Sequence, residues 1–384
     1  LVHEALASRY LASGKMAEEF ERELAERIGV RHAIAVSSGT AALHLAIIAS
    51  GVRDGDHVIT TPYSFVASSN AILYERGIPI FVDVDPETLD IDPAKTCEAI
   101  ETLMHRRAGW RSLLPRTCNA DDGVLRAVLP VHLFGRPAEL RDIVATSRRN
   151  DVAVIEDACE ALGAKADGVF AGAWGDAATF GFYPNKQITT GEGGMLVTNN
   201  DEWMRLFRSL RNQGRAADPE WLRYERLGYN YRMDELSAAL GLSQLRRLDD
   251  LLARREAVAR RYATLLANID GVSPLAPPRR EMTMTWFLYA IRLAPDIDRD
   301  HLRQRLAARG IASQPYFWPI HLQPFYMERF GYRPGDFPAA EAAGRSMLAL
   351  PFGPNVSDDD VAYVCDAIAH EIERARETAP LVRS

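Results

Sequence analysis

From about residue 15 to residue 250, brief β-rich runs take turns with helical stretches. Ala33–Val36, Val58–Thr61, Pro79–Asp83, Val128–Leu133 and Val152–Ile155 are short, rich in Val, Ile, Leu or Phe, and closed by Ser, Gly, Pro or Asp. Runs of this kind read as buried strands. Thr40–Ser50 and Glu139–Asn150 read as helices between them. Such alternation specifies an α/β fold, a mostly parallel sheet with helices on both faces. A long amphipathic helix is expected over Asp234–Ala267, with leucines on one face. Its basic pairs Arg246/Arg247, Arg254/Arg255 and Arg260/Arg261 are interleaved with acids and read as a solvated face. Beyond Pro274–Pro278 the texture changes to strand Phe287–Leu293, helix Arg299–Arg309, a Pro- and aromatic-rich loop Gln314–Phe325, and a last helix near Asp358–Glu373. The expected organisation is a large domain over 1–250 and a smaller α+β domain over 251–384, with 97–126 as an irregular surface insertion.

Composition excludes several classes. With 384 residues and 47% hydrophobic content the chain can bury a full core without staples. A net charge of −7 argues against a nucleic-acid binder, which needs clustered Lys and Arg. Cys97, Cys118, Cys159 and Cys365 are far apart, so neither a disulfide framework nor a zinc site is expected. No apolar run has the length of a membrane helix, and no signal-peptide pattern is present. The expectation is a cytoplasmic protein without membrane contact; Leu1 in place of Met points to a short preceding piece.

Three stretches carry chemistry. In Thr179–Gly194 one lysine, Lys186, stands between an aromatic strand and the glycines 191, 193 and 194. A sheltered amine is a nucleophile toward aldehydes; a solvated lysine on a hairpin turn fits the local sequence equally. In Val152–Gly163 an apolar run ends at Glu156 and Asp157, where strand ends of an open sheet face the ligand crevice. Asp157 could hold a ring nitrogen protonated, or simply cap a helix. In Ala33–Leu43 a strand passes through Ser37, Ser38, Gly39 and Thr40 into an apolar helix. That helix start is either an anion cup or an ordinary cap. Neither G-x-G-x-x-G nor a Walker lysine occurs, so NAD and ATP lose ground. Together, a phosphate cup, a strand-end acid and a lysine before a Gly-rich turn meet the three needs of pyridoxal phosphate.

These residues also carry a family resemblance. Glu18–Phe20, Ser37–Ala41, Thr61–Asn70, Val82–Pro86, Pro130–Gly135, Ile155–Ala158, Asn185–Gly194, Gly228–Glu235 and Pro319–Gln323 make the chain resemble the DegT/DnrJ/StrS sugar aminotransferases over nearly its whole length. The resemblance implies a fold-type I pyridoxal phosphate enzyme. It implies Lys186 as the Schiff-base lysine, Asp157 at the pyridine nitrogen and Glu160 near the ring oxygen. Gly39, Thr40 and Ala41 would hold the phosphate, and Phe65 would stack on the ring. Asn230 would reach the cofactor of a second subunit, which makes the expected unit a homodimer. Many relatives have a serine five residues before the lysine, whose hydroxyl binds the phosphate; here Gly181 stands there, so either Thr179 or a water substitutes or the cup has one donor fewer. Tyr183, Tyr316, Trp318 and His321 would line a substrate cleft, with core or dimer-interface packing the alternative for Tyr316 and Trp318.

The expected reaction is ping-pong transfer of an amino group from L-glutamate to a keto-sugar nucleotide, at C4 of a 4-keto-6-deoxyhexose as in perosamine synthases. Amino-sugar and polysaccharide biosynthesis is the implied setting. Three alternatives share parts of the same signature: an aminotransferase on another cyclic ketone, such as a keto-inositol with glutamine as donor; a cofactor-binding regulator without turnover; and a module that binds a nucleotide at glycines 191–194.

Overall fold

The computed structural model describes residues 1–118, 123–216 and 223–378. Five strands lead: β1 (His32–Val36), β2 (His57–Thr60), β3 (Ile78–Phe81), β4 (Leu125–Leu129) and β5 (Ala153–Asp157). A small hairpin, β6 (Lys165–Ala166) and β7 (Val169–Phe170), separates them from β8 (Ala177–Gly181) and β9 (Gly194–Thr198). The central sheet has the order β1-β9-β8-β5-β4-β2-β3. β9 runs antiparallel to both neighbours and every other pairing is parallel. Strands 4 or 5 residues long, buried on both faces, explain the unbroken apolar runs in the sequence.

The helix Gly39–Ala49 lies against β1, β8 and β9, and seven consecutive residues, Ala41–Ile47, are buried. It therefore has no polar stripe. The helix Lys15–Ile28 packs on the helix Glu235–Leu245, where Phe20 and Leu24 are fully buried.

The C-terminal part has its own antiparallel sheet, β10 (Val272–Pro274), β12 (Tyr289–Leu293) and β13 (Met347–Leu350), in the order β10-β12-β13. The short β11 (Met282–Thr283) instead joins the β6–β7 hairpin. The helices Leu248–Leu266 and Asp358–Thr378 cover the C-terminal sheet through Val258, Tyr262, Val361 and Ile368. Leu248, at the start of the first of these, belongs instead to the core under the helix Lys15–Ile28. Among the described residues no helix is long and apolar enough to cross a membrane.

Four expectations are corrected. The long helix over Asp234–Ala267 is two helices, Glu235–Leu245 and Leu248–Leu266, separated by a turn at Arg246 and Arg247 across which the leucine spacing continues. Residues 97–104 are not irregular but finish the helix Pro93–Met104, which buries Ala99, Ile100 and Leu103; of the expected 97–126 insertion, 119–122 lie outside the described residues. The Pro-rich loop Gln314–Phe325 ends early, because Pro324 opens a helix to Phe330. No helix follows Asp157, only a turn.

Candidate active site

At the carboxyl ends of β5 and β8 the chain encloses a cavity of about 460 Å³. Gly39, Thr40, Phe65, Asp157, Glu160, Tyr183, Lys186 and Tyr316 all line it, although they come from five separate stretches of sequence.

Lys186 lies on the connection between β8 and β9, the hairpin that the sequence allowed, yet its side chain is only 14% exposed. Its Nζ sits 3.8 Å from the centre of the Phe287 ring and 3.5 Å from Glu160 Oε1. The lysine is thus turned inward, under an aromatic face that attracts cations. Glu160 accepts from the Phe134 N–H at 2.9 Å with its other oxygen. Burial pushes the Glu160 carboxyl up from its ordinary value, while the Lys186 charge and the Phe134 N–H pull it down.

Asp157 ends β5. Ser68 Oγ donates to its Oδ2 at 2.6 Å and the Cys159 N–H to its Oδ1 at 3.1 Å. The turn after the strand, not a helix, uses that second oxygen. Just behind it, Glu156 is fully buried. It accepts from the Gly172, Trp174 and Gly175 N–H groups at 2.8 Å each and contacts His132 Nε2 at 2.8 Å. Since His132 Nδ1 accepts from the Ala138 N–H, Nε2 is the protonated nitrogen. This satisfied network fixes the strand end that carries Asp157.

The helix start at Ser38 faces the cavity. Ser38 Oγ accepts from the Ala41 N–H at 3.0 Å, so Ala41 is spent on the cap; it does not line the cavity. Among the described residues the Gly39 and Thr40 N–H groups have no protein partner. Two unpaired donors at the positive end of an 11-residue helix suit an anion. Gly39, Gly181 and Cys159 are crowded together: a Cβ on Gly39 would come within 2.9 Å of Cys159 Sγ. Burial pushes the Cys159 thiol well above its ordinary value.

A model of the DegT/DnrJ/EryC1/StrS aminotransferase family matches residues 1–369. The chain belongs to this family. It is 38% identical to GDP-perosamine synthase of Caulobacter vibrioides over 372 residues, covering 96% of this chain and 93% of that one. It is 36% identical to the spore coat polysaccharide biosynthesis protein SpsC of Bacillus subtilis, covering 97% and 94%. Among solved structures, DesV of S. venezuelae superposes with a TM-score of 0.85 at 32% identity, covering 97% and 93%. Like other members of the DegT/DnrJ/EryC1/StrS family, the chain is an aminotransferase that uses pyridoxal phosphate.

The residues present fit that cofactor: a sheltered amine for its aldehyde, a carboxylate held by two donors, and a helix start that turns two unpaired N–H groups toward the cavity. Other expected residues stand elsewhere. His321 is fully buried away from the cavity, 3.1 Å from Glu341 and packed edge-on to Phe337. Its Pro-rich neighbourhood suggested a substrate loop, but the ring serves the core. Thr179 is also fully buried and outside the cavity lining, so its hydroxyl does not replace the serine missing at 181. Asn230 is exposed on the surface of the single chain, opposite Asn212 in an isolated bridge. Trp318 is exposed at 53% and does not line the cavity.

Ser68, Phe287 and Phe317 were missed. Ser68 is followed by Ser69 and Asn70 in the helix Ala67–Tyr74, and nothing in that polar run singled it out before its burial against the end of β5 was seen. Phe287 and Phe317 come from the C-terminal part and give no local sign. Their wall is held by Tyr63, whose hydroxyl donates to the Tyr316 carbonyl, and by stacking of Phe317 on Phe134 at 5.8 Å.

Proposed function

We propose that this aminotransferase moves an amino group from L-glutamate to the C4 ketone of a nucleotide-linked 4-keto-6-deoxyhexose, with Lys186 as the catalytic residue. The observation that carries this reading is the meeting of Lys186, Asp157, Glu160 and the Ser38–Thr40 helix start in one cavity. The acceptor is suggested by the relatives named GDP-perosamine synthase, at 38% and 34% identity.

When bound, pyridoxal phosphate supplies an aldehyde that takes up the amino group and a ring that accepts electron density. The chain supplies the rest. In the first half-reaction Lys186 Nζ takes the proton from the α-carbon of glutamate, and in the second, acting in the reverse sense, it delivers a proton to C4 of the sugar, general acid–base work by one sheltered amine. Asp157, its oxygens oriented by Ser68 and Cys159, presents negative charge to the ring nitrogen. Glu160 keeps a proton more readily than an exposed carboxyl and can donate it as a hydrogen bond. The Gly39 and Thr40 N–H groups hold the phosphate. Phe65 lines the cavity and would stack on the ring, and Tyr183, exposed at 53%, offers flat apolar surface to a sugar nucleotide at the mouth. In a homodimer Asn230 would reach toward the partner subunit's cofactor. The cytoplasm is the compartment consistent with nucleotide sugars.

The test is a panel assay, with glutamate or glutamine as donor and nucleotide-linked 4-keto-6-deoxyhexoses, 3-keto sugars or a free keto-inositol as acceptor, read by product mass. Formation of a 4-amino sugar nucleotide with glutamate is expected, in ping-pong kinetics. Turnover confined to the free cyclitol overturns the acceptor. No amino transfer from any donor favours a regulator. Wild-type turnover by Lys186→Ala overturns the role of Lys186.

A further inference from the structure

Arg255 was grouped with Arg254 as part of a solvated helix face, and the structure separates them. Arg254 is exposed and pairs with Asp250 one turn back at 3.1 Å. Arg255 is buried at 4% exposure, and among the described residues no carboxylate lies within ion-pair distance of it. A buried guanidinium is costly unless its donors are used. Here both terminal nitrogens are spent on main-chain carbonyls, while Nε is buried without a partner. Nη2 donates to the Lys186 carbonyl at 2.8 Å and to that of Asn185 at 3.5 Å. Nη1 donates to the carbonyls of Trp286 and Phe287 at 3.1 and 3.2 Å.

The pairing of targets is specific. Lys186 and Phe287 are the two residues whose side chains meet over the cavity, amine against ring, at 3.8 Å. One planar fork therefore grips the backbone of both partners of that contact. One neighbouring bond ties the same two segments: Gln187 Nε2 donates to Thr285 Oγ1 at 3.3 Å, and it also donates to the Glu160 carbonyl. Arg255 is carried by the helix Leu248–Leu266 and does not line the cavity, so it touches neither cofactor nor substrate.

The geometry points to Arg255 as a positioning residue of the amino-transfer reaction, which locks the Lys186 and Phe287 main chains in register so that the amine keeps its place under the ring. The inference rests on Lys186 being the residue that bonds the cofactor. Errors of an ångström at a reacting group cost up to about 100-fold in rate, so loosening this fork should be felt in catalysis.

The experiment compares holoenzyme of Arg255→Met and Arg255→Lys with wild type. Three properties are read: visible circular dichroism of the bound chromophore, the rate of cofactor loss on dilution, and kcat against KM for the amino donor. Arg255→Met should lose half or more of the visible ellipticity, shed cofactor about 10-fold faster and drop kcat about 10- to 100-fold with KM little changed. Arg255→Lys should recover part of each, since an ammonium restores the charge but not the fork. Wild-type ellipticity and off-rate in Arg255→Met overturn the proposal, as does a kcat loss that follows only a lowered melting temperature. If Arg255→Met does not fold, Arg255→Lys decides: wild-type values for all three readouts overturn the role, and altered ellipticity supports it. A Lys186→Ala arm keeps the two readings apart, because an unchanged visible spectrum there would remove Lys186 from the cofactor whatever Arg255 does.

Discussion

The Ser68 hydroxyl donates a 2.6 Å hydrogen bond to Asp157 Oδ2 across 89 residues of sequence. Both side chains are buried, so the bond is made on the sheltered side of the carboxylate. Ser68→Ala leaves that oxygen with one donor fewer, a loss of about 1 to 3 kcal/mol for a buried charged acceptor. The expected result is a drop of roughly tenfold in kcat/KM with a folded protein. Unchanged steady-state kinetics would show that Asp157 keeps its orientation without Ser68.

Gly181 stands where the family resemblance implies a serine, and there is room for one. A Cβ there would meet Cys159 Cβ and Sγ at 3.4 Å, ordinary contact distance. Gly181→Ser should fold and tighten cofactor binding about fivefold, the worth of one added hydrogen bond of about 1 kcal/mol. Fluorescence titration of the cofactor-free protein measures it. Gly39→Ala is the contrasting case: its Cβ would press on Cys159 Sγ at 2.9 Å and on the Gly181 backbone at 3.2 Å, and binding should weaken.

His321 belongs to the core. Burial lowers its ordinary pKa, opposed by the Glu341 carboxylate, and Glu341 also accepts from the Gly335 N–H at 2.7 Å. His321→Asn should lower stability by about 2 kcal/mol, through lost packing and a weakened buried hydrogen bond. KM for either substrate should stay within about twofold, since the ring is absent from the cavity lining. Chemical denaturation and initial rates separate the two effects, and a large rise in KM would return His321 to the substrate cleft.

Asp90 gives the stability a pH dependence. Burial pushes its carboxyl from 3.8 to about 7, against the pull of Arg136, whose Nε is 3.5 Å away. The folded protein therefore binds a proton that the unfolded chain releases above about 4. The stability contributed by Asp90 is complete below that value and is lost as pH rises toward about 7. Urea unfolding at pH 5 and pH 8 should show a smaller difference for Asp90→Asn than for wild type. An equal difference in both proteins would refute the assignment.

Much of this was legible in the sequence because the signals were local. The strands near His32, His57, Ile78 and Ala153 and the Ser38 cap lie within two residues of their expected places, since short buried strands and polar caps carry their own patterns. Lys186 and Asp157 were marked by turn chemistry and strand ends. What stayed hidden depends on distant partners. Arg255 resembles its exposed neighbour Arg254 in sequence, and only the approach of residues 185–187 and 285–287 distinguishes them. His321 failed in the opposite sense: a histidine beside prolines looks like a binding loop until Glu341, twenty residues on, folds against it.

The reversed strand β9 has a consequence for how the molecule is made. Among the described strands β1 pairs with β9 alone, in the register Val36 to Gly194, and Val36 also bridges the still later Arg232, so the first strand synthesised finds its neighbour after more than 150 further residues have emerged. A Cβ at Gly194 would come within 2.4 Å of the Ser38 carbonyl, so the loop leading into the Gly39–Ala49 helix is shaped against that late-arriving glycine. The nascent amino-terminal half cannot hold vitamin B6 on its own. Acquisition of the coenzyme must wait for the closing hairpin to leave the ribosome, and an arrested translation product shorter than about 200 residues should remain colourless.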